Sequence, residues 1–210
     1  MKNLNYLLPD TRKLLLNFME KSDFLHKYVL VGGSALALHL QHRKSEDLDF
    51  FTYEDSFNKN EIFEYIKQFE FKEIINESNE QIDILINGVK ITFFNAKWDF
   101  LKPLGIEKFN LSSIDALAAM KVNTLFLRAK FRDYYDLYFL VKEKMGIKKV
   151  FECSKNIMQG INFKLFCIAL VYIDDIEDDN ISHLDPKINI AKEEIREFFE
   201  EKINILIRAD

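Results

Sequence analysis

Residues 28–34 read Tyr28-Val29-Leu30-Val31-Gly32-Gly33-Ser34, and this stretch decides the fold of the first half of the chain. Its apolar residues predict a short buried strand, and the glycine pair predicts a tight turn into a helix capped by Ser34. At such a turn the backbone N–H groups and the positive end of the helix dipole face outward, and glycine lets an anion approach the backbone. The turn therefore predicts phosphate binding by Gly32, Gly33 and Ser34; a strand–helix turn without a ligand is the alternative.

A pair of carboxylates follows in the segment Asp47-Leu48-Asp49-Phe50. Because the side chains of a strand alternate between its faces, Asp47 and Asp49 share one face and Leu48 and Phe50 the other. Neighbouring carboxylates repel each other unless a cation lies between them, and their hard oxygen atoms favour Mg²⁺, with Mn²⁺ as the alternative. A solvated strand end would have the same sequence. Together with the glycine turn, however, the pair predicts a metal site beside a nucleoside triphosphate (NTP).

The order of the predicted elements gives the fold class. Strands and helices alternate in the first half, and only helices are predicted after Pro103, so we predict an α/β (α+β) domain at residues 1–105 and a helical domain at residues 106–210. The predicted strands span residues 28–31, 47–52, 71–75, 82–86 and 89–94; the predicted helices span 10–19, 35–40, 58–68, 112 to about 140, 148–157, 163–172 and 187–207.

Composition limits the classes of function. The chain has 210 residues and a net charge of −5, so a broad basic surface for nucleic acid is absent. Cys153 and Cys167 have no further cysteine with zinc-site spacing and fit a reducing compartment. No apolar run approaches the roughly 18 residues of a membrane span, and the start of the chain lacks a signal core. We therefore expect a cytoplasmic protein that does not bind membranes.

Longer segments resemble a known family. The strings Gly32–His39 and His42–Phe51, with Asp115–Lys121 and Arg128–Leu137 downstream, resemble the AbiEii/AbiGii-type toxin nucleotidyltransferases, a branch of the polymerase-β-like superfamily. The resemblance covers roughly residues 28 to 140. It implies a nucleotidyltransferase fold with a small mixed sheet flanked by helices, and a helical half that completes the active site.

The resemblance also implies an activity. Such an enzyme moves a nucleoside monophosphate from an NTP to an acceptor, with tRNA as a candidate, and acts as a toxin whose partner is an antitoxin. It implies that Lys121 contacts phosphate, and that Asp133 or Asp136 holds this lysine or serves as the base; the two aspartates are not distinguished.

Several cations could add to the phosphate site. Lys121, Arg128 and Arg132 would line one face if their helix is continuous, and three cations on one face suit a triphosphate. A solvated face with Arg–Asp pairs is the alternative. Arg43 either binds phosphate or acceptor, or pairs with Glu46.

One position departs from the family pattern. Many superfamily members have a third carboxylate on a later strand, where Thr92 stands here, and this puts two-metal catalysis in doubt. The two-residue turn Asn87-Gly88 predicts a hairpin that pairs Asp83 with Thr92, so Asp83 is predicted to supply or support the third acidic position. The alternatives to nucleotidyl transfer to RNA are transfer to a small molecule, and a binding protein of the same fold that lacks transfer activity.

Overall fold

The computed structural model describes residues 3–103, 109–177 and 180–209. The chain divides into two compact units, Met1–Ser113 and Ile114–Asp210. The predicted domain boundary at residues 105/106 falls within 104–108, which lie outside the described residues, and the predicted domains stay a prediction.

The first unit is a mixed six-stranded sheet with helices. The strand order is β3-β4-β5-β2-β1-β6, in which β2 runs parallel to β5, β1 runs parallel to β6, and the other neighbours are antiparallel. The elements are α1 (Pro9–Lys21), β1 (Val29–Val31), α2 (Gly32–Leu40), β2 (Leu48–Thr52), α3 (Lys59–Ile66), β3 (Lys72–Glu77), β4 (Gln81–Ile86), β5 (Val89–Asn95) and β6 (Asn110–Leu111), with 3₁₀ turns at Leu4–Tyr6, Leu25–Lys27 and Asp99–Leu101.

One face of the sheet forms the core of this unit. Phe50 of β2 and Phe93 of β5 are fully buried, and their rings stack with centroids 5.3 Å apart. Phe18 of α1 packs on both rings, and Tyr65 of α3 packs on Phe18. Burial of these aromatic side chains fixes the sheet face that points inward. The residues that alternate with them therefore point to the opposite face.

The hairpin between β4 and β5 has the predicted geometry. Asn87 and Gly88 both adopt positive φ, 51° and 82°, as a two-residue hairpin turn requires. The turn pairs Ile86 with Val89 and, three rungs further, Asp83 with Thr92. The predicted register is confirmed.

The described residues of the second unit form helices joined by turns and loops, without a strand among them. Its core contains the rings of Tyr134 and Tyr135, whose hydroxyls donate to the backbone carbonyls of Ala169 and Ile188. None of the helices in the described ranges has the length and apolar composition to cross a bilayer. The elements are α4 (Ile114–Leu127), α5 (Phe131–Glu143), α6 (Ile147–Ser154), α7 (Phe163–Val171), α8 (Lys192–Ala209) and a 3₁₀ turn at Ser182–Leu184.

The long helix predicted over residues 112 to 140 is wrong because it breaks at Ala129. Ala129 has φ of 31°, and the N–H groups of Arg128 and Ala129 both point to the carbonyl of Thr124. A new helix then begins, because the carboxylate of Asp133 accepts the backbone N–H of Lys130, a contact typical of a helix N-terminus. The chain therefore forms two helices, α4 and α5, in place of one.

Candidate functional site

The glycine turn and Asp49 lie in direct contact. β1 and β2 are antiparallel, and Val31, the last residue of β1, pairs with Asp49. Gly32 follows with φ of +70°, and a Cβ atom added there would overlap Asp49 Oδ2 and lie 3.2 Å from its Cγ. Glycine is therefore required at position 32 both by the backbone conformation and by the carboxylate packed against it. The structure brings together these two residues of the predicted site.

Ser34 has a different role from the predicted N-cap. Helix α2 already begins at Gly32, with Val31 as its N-cap, so Ser34 lies inside the first turn. Its buried hydroxyl donates to the backbone carbonyl of Asp47. The N-cap prediction is wrong because the helix begins three residues earlier than predicted, at Gly32 and not at Ala35. The hydrogen bond instead ties the first turn of α2 to the segment that leads into β2.

Arg43 supplies a buried positive charge next to the turn. A Cβ atom on Gly33 would lie 2.9 Å from Arg43 Nη2 and 3.2 Å from Ser45 Oγ. Arg43 is 2% exposed, and its Nη1 donates to the carbonyl oxygen of Lys44 at 2.9 Å. This guanidinium adds to the positive potential of the N–H groups at the start of α2. The predicted roles of Arg43, which are binding of phosphate or acceptor or an ion pair with Glu46, stay predictions.

The chemistry of Asp47 and Asp49 fits a divalent cation. Both side chains are half-buried, whereas Leu48 and Phe50 are fully buried. Within residues 3–103, 109–177 and 180–209, no three His, Cys, Asp or Glu side chains form a metal-binding group. Two carboxylates are nevertheless a sufficient protein donor set for Mg²⁺, which commonly completes its shell with water and substrate phosphates. The carboxylate of Asp49, which packs on the glycine turn, and that of Asp47 two residues before it therefore fit Mg²⁺ with a triphosphate.

Asp49, Thr92 and Asp83 form a row across three strands. Asp49 pairs with Thr92 between β2 and β5, and Thr92 pairs with Asp83 between β5 and β4. Thr92 Oγ1 donates to Asp83 Oδ1 at 2.7 Å, while Gln81 Nε2 and Asn76 Nδ2 donate to Oδ2 at 2.8 and 3.3 Å. Asp83 is thus a buried carboxylate that holds Thr92 from the side away from Asp49. Its role as a direct metal ligand stays a prediction.

The second unit contains a buried charge cluster. Lys121 Nζ lies 2.7 Å from Asp133 Oδ1 and 2.7 Å from Asp136 Oδ2, and all three side chains are buried. The two aspartates lie three residues apart on α5, so both face α4. Burial alone would raise the pKa of Asp133, but the Lys121 ammonium, with a smaller effect of Arg128, lowers it below its usual value.

The predicted row of three cations does not form on one helix. Lys121 lies in α4, Arg128 follows the end of α4, and Arg132 lies in α5. The predicted alignment on one face is wrong, because the break at Ala129 resets the helical phase. Arg128 Nη2 lies 3.9 Å from Asp133 Oδ1 at the edge of the buried cluster. The predicted phosphate contacts of Lys121, Arg128 and Arg132 stay predictions.

No motif predicted an aromatic cluster on the face that carries Asp49. Phe51 of β2 and Phe94 of β5 contact each other, and Trp98 contacts both; Phe100 stacks on Trp98. All four side chains are half-buried. Strand alternation could have revealed Phe51 and Phe94, because each lies two residues after a member of the row across the strands, Asp49 or Thr92. We name Phe51, Phe94, Trp98 and Phe100 the aromatic cluster.

Comparison with known proteins identifies similar chains. Residues 13–94 match the family described as nucleotidyl transferase AbiEii toxin of the type IV toxin–antitoxin (TA) systems. An uncharacterized protein of Aquifex aeolicus is 29% identical over 183 residues, which cover 84% of this chain and 86% of that protein.

Two crystal structures from Helicobacter pylori have a similar fold. A candidate nucleotidyltransferase is 18% identical, covers 100% of this chain and 98% of its own, and superposes with a TM-score of 0.54. The protein JHP933 is 20% identical, with 95% of this chain and 96% of its own covered and a TM-score of 0.54. These structures confirm the predicted nucleotidyltransferase fold, and the match over residues 13–94 is to the AbiEii family that the motifs resemble.

Proposed function

We propose that this protein is a Mg²⁺-dependent nucleotidyltransferase that moves a nucleoside monophosphate from an NTP to an acceptor and releases pyrophosphate. The matched family and the fold support nucleotidyl transfer and a toxin role in general terms. One observation carries the more specific proposal: the Asp49 carboxylate packs directly on Gly32, at the N-terminus of α2. A phosphate-binding element and a metal ligand therefore share one location.

The triphosphate binds at the first turn of α2. The backbone N–H groups there have no partners within the helix, and the helix dipole makes this end positive. Because Gly32 and Gly33 have no side chains, the Asp49 carboxylate packs against the first and the Arg43 guanidinium against the second, so a metal ligand and a cation both reach the turn where a phosphate would bind. These groups offset the negative charge that a triphosphate brings next to Asp47 and Asp49.

Asp47 and Asp49 hold the metal ion. Without a cation, two half-buried carboxylates and a triphosphate would repel one another strongly. Bound Mg²⁺, or Mn²⁺, neutralises phosphate charge and orients the reacting oxygen atoms. Ser34 fixes the backbone of Asp47 relative to the turn, so that both carboxylates keep their position beside the phosphates.

Asp83 supports the position where related enzymes have a third carboxylate. Thr92 occupies that rung, and the Thr92 hydroxyl is oriented by its hydrogen bond to Asp83. The protein then offers fewer charged ligands than a three-carboxylate site, which favours one firmly held metal ion. Lys121, Asp133 and Asp136 are predicted to complete the activity, with Lys121 stabilising the charge of the leaving pyrophosphate.

The acceptor is RNA, with tRNA as the candidate, and the partner is an antitoxin. The matched family is described as a type IV TA toxin, which supports both a nucleotide substrate and an antitoxin. Because counterion release favours RNA binding to basic surfaces and the net charge of the chain is −5, RNA would contact a small basic region and not the whole surface.

Transfer of label from α-³²P-NTPs tests this function. We expect label to enter total RNA with wild-type protein and Mg²⁺, and to fall at least a hundredfold with Asp49→Asn, in line with the loss of a key electrostatic group. Glu64→Gln, a change in an exposed ion pair on α3, is the matched control and should transfer normally. Label on small molecules alone would indicate the small-molecule alternative, and NTP binding without transfer to any acceptor would indicate a binding protein.

A further inference from the structure

We infer that the aromatic cluster binds the nucleobase of the NTP, an inference that rests on the proposed function. Phe51 and Phe94 meet at a centroid distance of 5.0 Å, Trp98 lies 6.1 Å from Phe51, and Phe100 stacks on Trp98 at 5.4 Å with planes 19° apart. In contrast to Phe50 and Phe93 on the core face, which are fully buried, these rings are half-buried. Clustered, partly exposed rings on a sheet face mark a binding surface.

The position of the aromatic cluster along the sheet fits the distance between the phosphates and the base of a nucleotide. Asp49 pairs with Thr92, and Phe51 pairs with Phe94 two rungs further, on the same face. Two residues along a strand span about 6.6 Å, which is comparable with the length of a ribose. The glycine turn follows Val31, the partner of Asp49, whereas Val29 is the partner of Phe51. A nucleotide that has its phosphates at the turn and lies along this face of the sheet would therefore place its base at the cluster.

The chemistry of the cluster suits stacking. Aromatic rings interact with the face of any base, whereas reading the edge of a base requires fixed hydrogen-bond donors and acceptors. Phe51, Phe94 and Phe100 have only hydrocarbon rings, and Trp98 adds a single N–H donor. We therefore expect the cluster to contribute affinity for all four NTPs with little discrimination among them.

Trp98 provides a direct probe, because it is the only tryptophan in the chain. Its fluorescence is titrated with each NTP and Mg²⁺, and separately with inorganic tripolyphosphate and Mg²⁺; calorimetry gives both affinities. We expect the NTPs to quench Trp98 and to bind more tightly than tripolyphosphate, which binds without quenching. Phe51→Leu should weaken NTP binding about tenfold while the affinity for tripolyphosphate stays the same, since one stacked base contributes about 1–3 kcal/mol.

Phe126→Leu, which changes a partly exposed ring in the helical unit, is the matched control and should alter neither affinity. The inference is overturned if the wild-type protein binds NTPs and tripolyphosphate equally, or if Phe51→Leu weakens both to the same degree. It is also overturned if Phe51→Leu weakens RNA binding and leaves NTP binding intact, because the cluster would then serve the acceptor. If neither ligand binds wild-type protein, the proposed function fails together with the inference, whereas the preceding outcomes leave the function standing.

Discussion

Replacing Gly32 with alanine perturbs the contact on which the site depends. The left-handed φ of +70° costs an L-residue about 1–2 kcal/mol. The new Cβ would also overlap Asp49 Oδ2 and crowd its Cγ at 3.2 Å, and overpacking of this kind costs about 1–3 kcal/mol more. We therefore expect Gly32→Ala to lower the free energy of unfolding in urea by about 2–5 kcal/mol, and to displace the carboxylate from the turn.

The variant Gly88→Ala separates the cost of the left-handed backbone from the cost of overpacking against Asp49. Gly88 has a similar φ of +82°, but a Cβ added there would meet no atom within 4 Å, so only the backbone cost applies. We expect this variant to lose about 1–2 kcal/mol and to bind NTPs like the wild type. Equal losses of stability in the two variants, with NTP binding intact in both, would refute the packing of Asp49 on Gly32.

Three further predictions concern buried charges. Lys121→Met should lower the free energy of unfolding by about 3–5 kcal/mol, because it removes the ammonium that lies between two buried carboxylates. Lys149→Met breaks an exposed ion pair and should cost at most about 1 kcal/mol; urea unfolding measures both values. Folding lowers the pKa of Asp133, so the ionised carboxylate makes its whole contribution to stability at pH values above the ordinary pKa of 3.8 and loses it as the pH falls through the folded-state pKa. Asp133→Asn should therefore flatten the acid side of the curve of unfolding free energy against pH. Asp83→Asn should cost about 1–3 kcal/mol, because the carboxylate accepts from three donors through two oxygen atoms and the amide keeps only one, and should weaken Mg²⁺-dependent transfer; unchanged transfer would remove Asp83 from the site.

Local signals in the sequence predicted much of the first unit. Asn87 and Gly88 both tolerate positive φ, so a two-residue turn and the pairing of Asp83 with Thr92 follow from the sequence. Strand alternation likewise predicted that Asp49 and Phe50 face opposite sides of the sheet. These features depend on neighbouring residues alone.

The features that could not be predicted depend on contacts that neither propensity nor periodicity shows. Ala129 ends a helix although alanine is the best helix former, and the carboxylate of Asp133 accepts from the backbone N–H of Lys130 at the start of the next helix. The hydroxyl of Ser34 donates to the carbonyl of Asp47, thirteen residues away, and not to the neighbouring backbone of its own helix. The strand β6 has only two residues, too few for a pattern of alternating burial, and it pairs with β1, which lies far from it in the sequence.

Calorimetric titration of Mg²⁺–NTP into wild-type protein and into the Asp47→Asn/Asp49→Asn variant tests the central claim most directly. If the glycine turn and the two aspartates form one metal–nucleotide site, the wild type binds NTP only when Mg²⁺ is present, and the variant, although folded, loses that metal dependence and most of the affinity. Wild-type affinity in the double variant at the same Mg²⁺ concentration would contradict the claim.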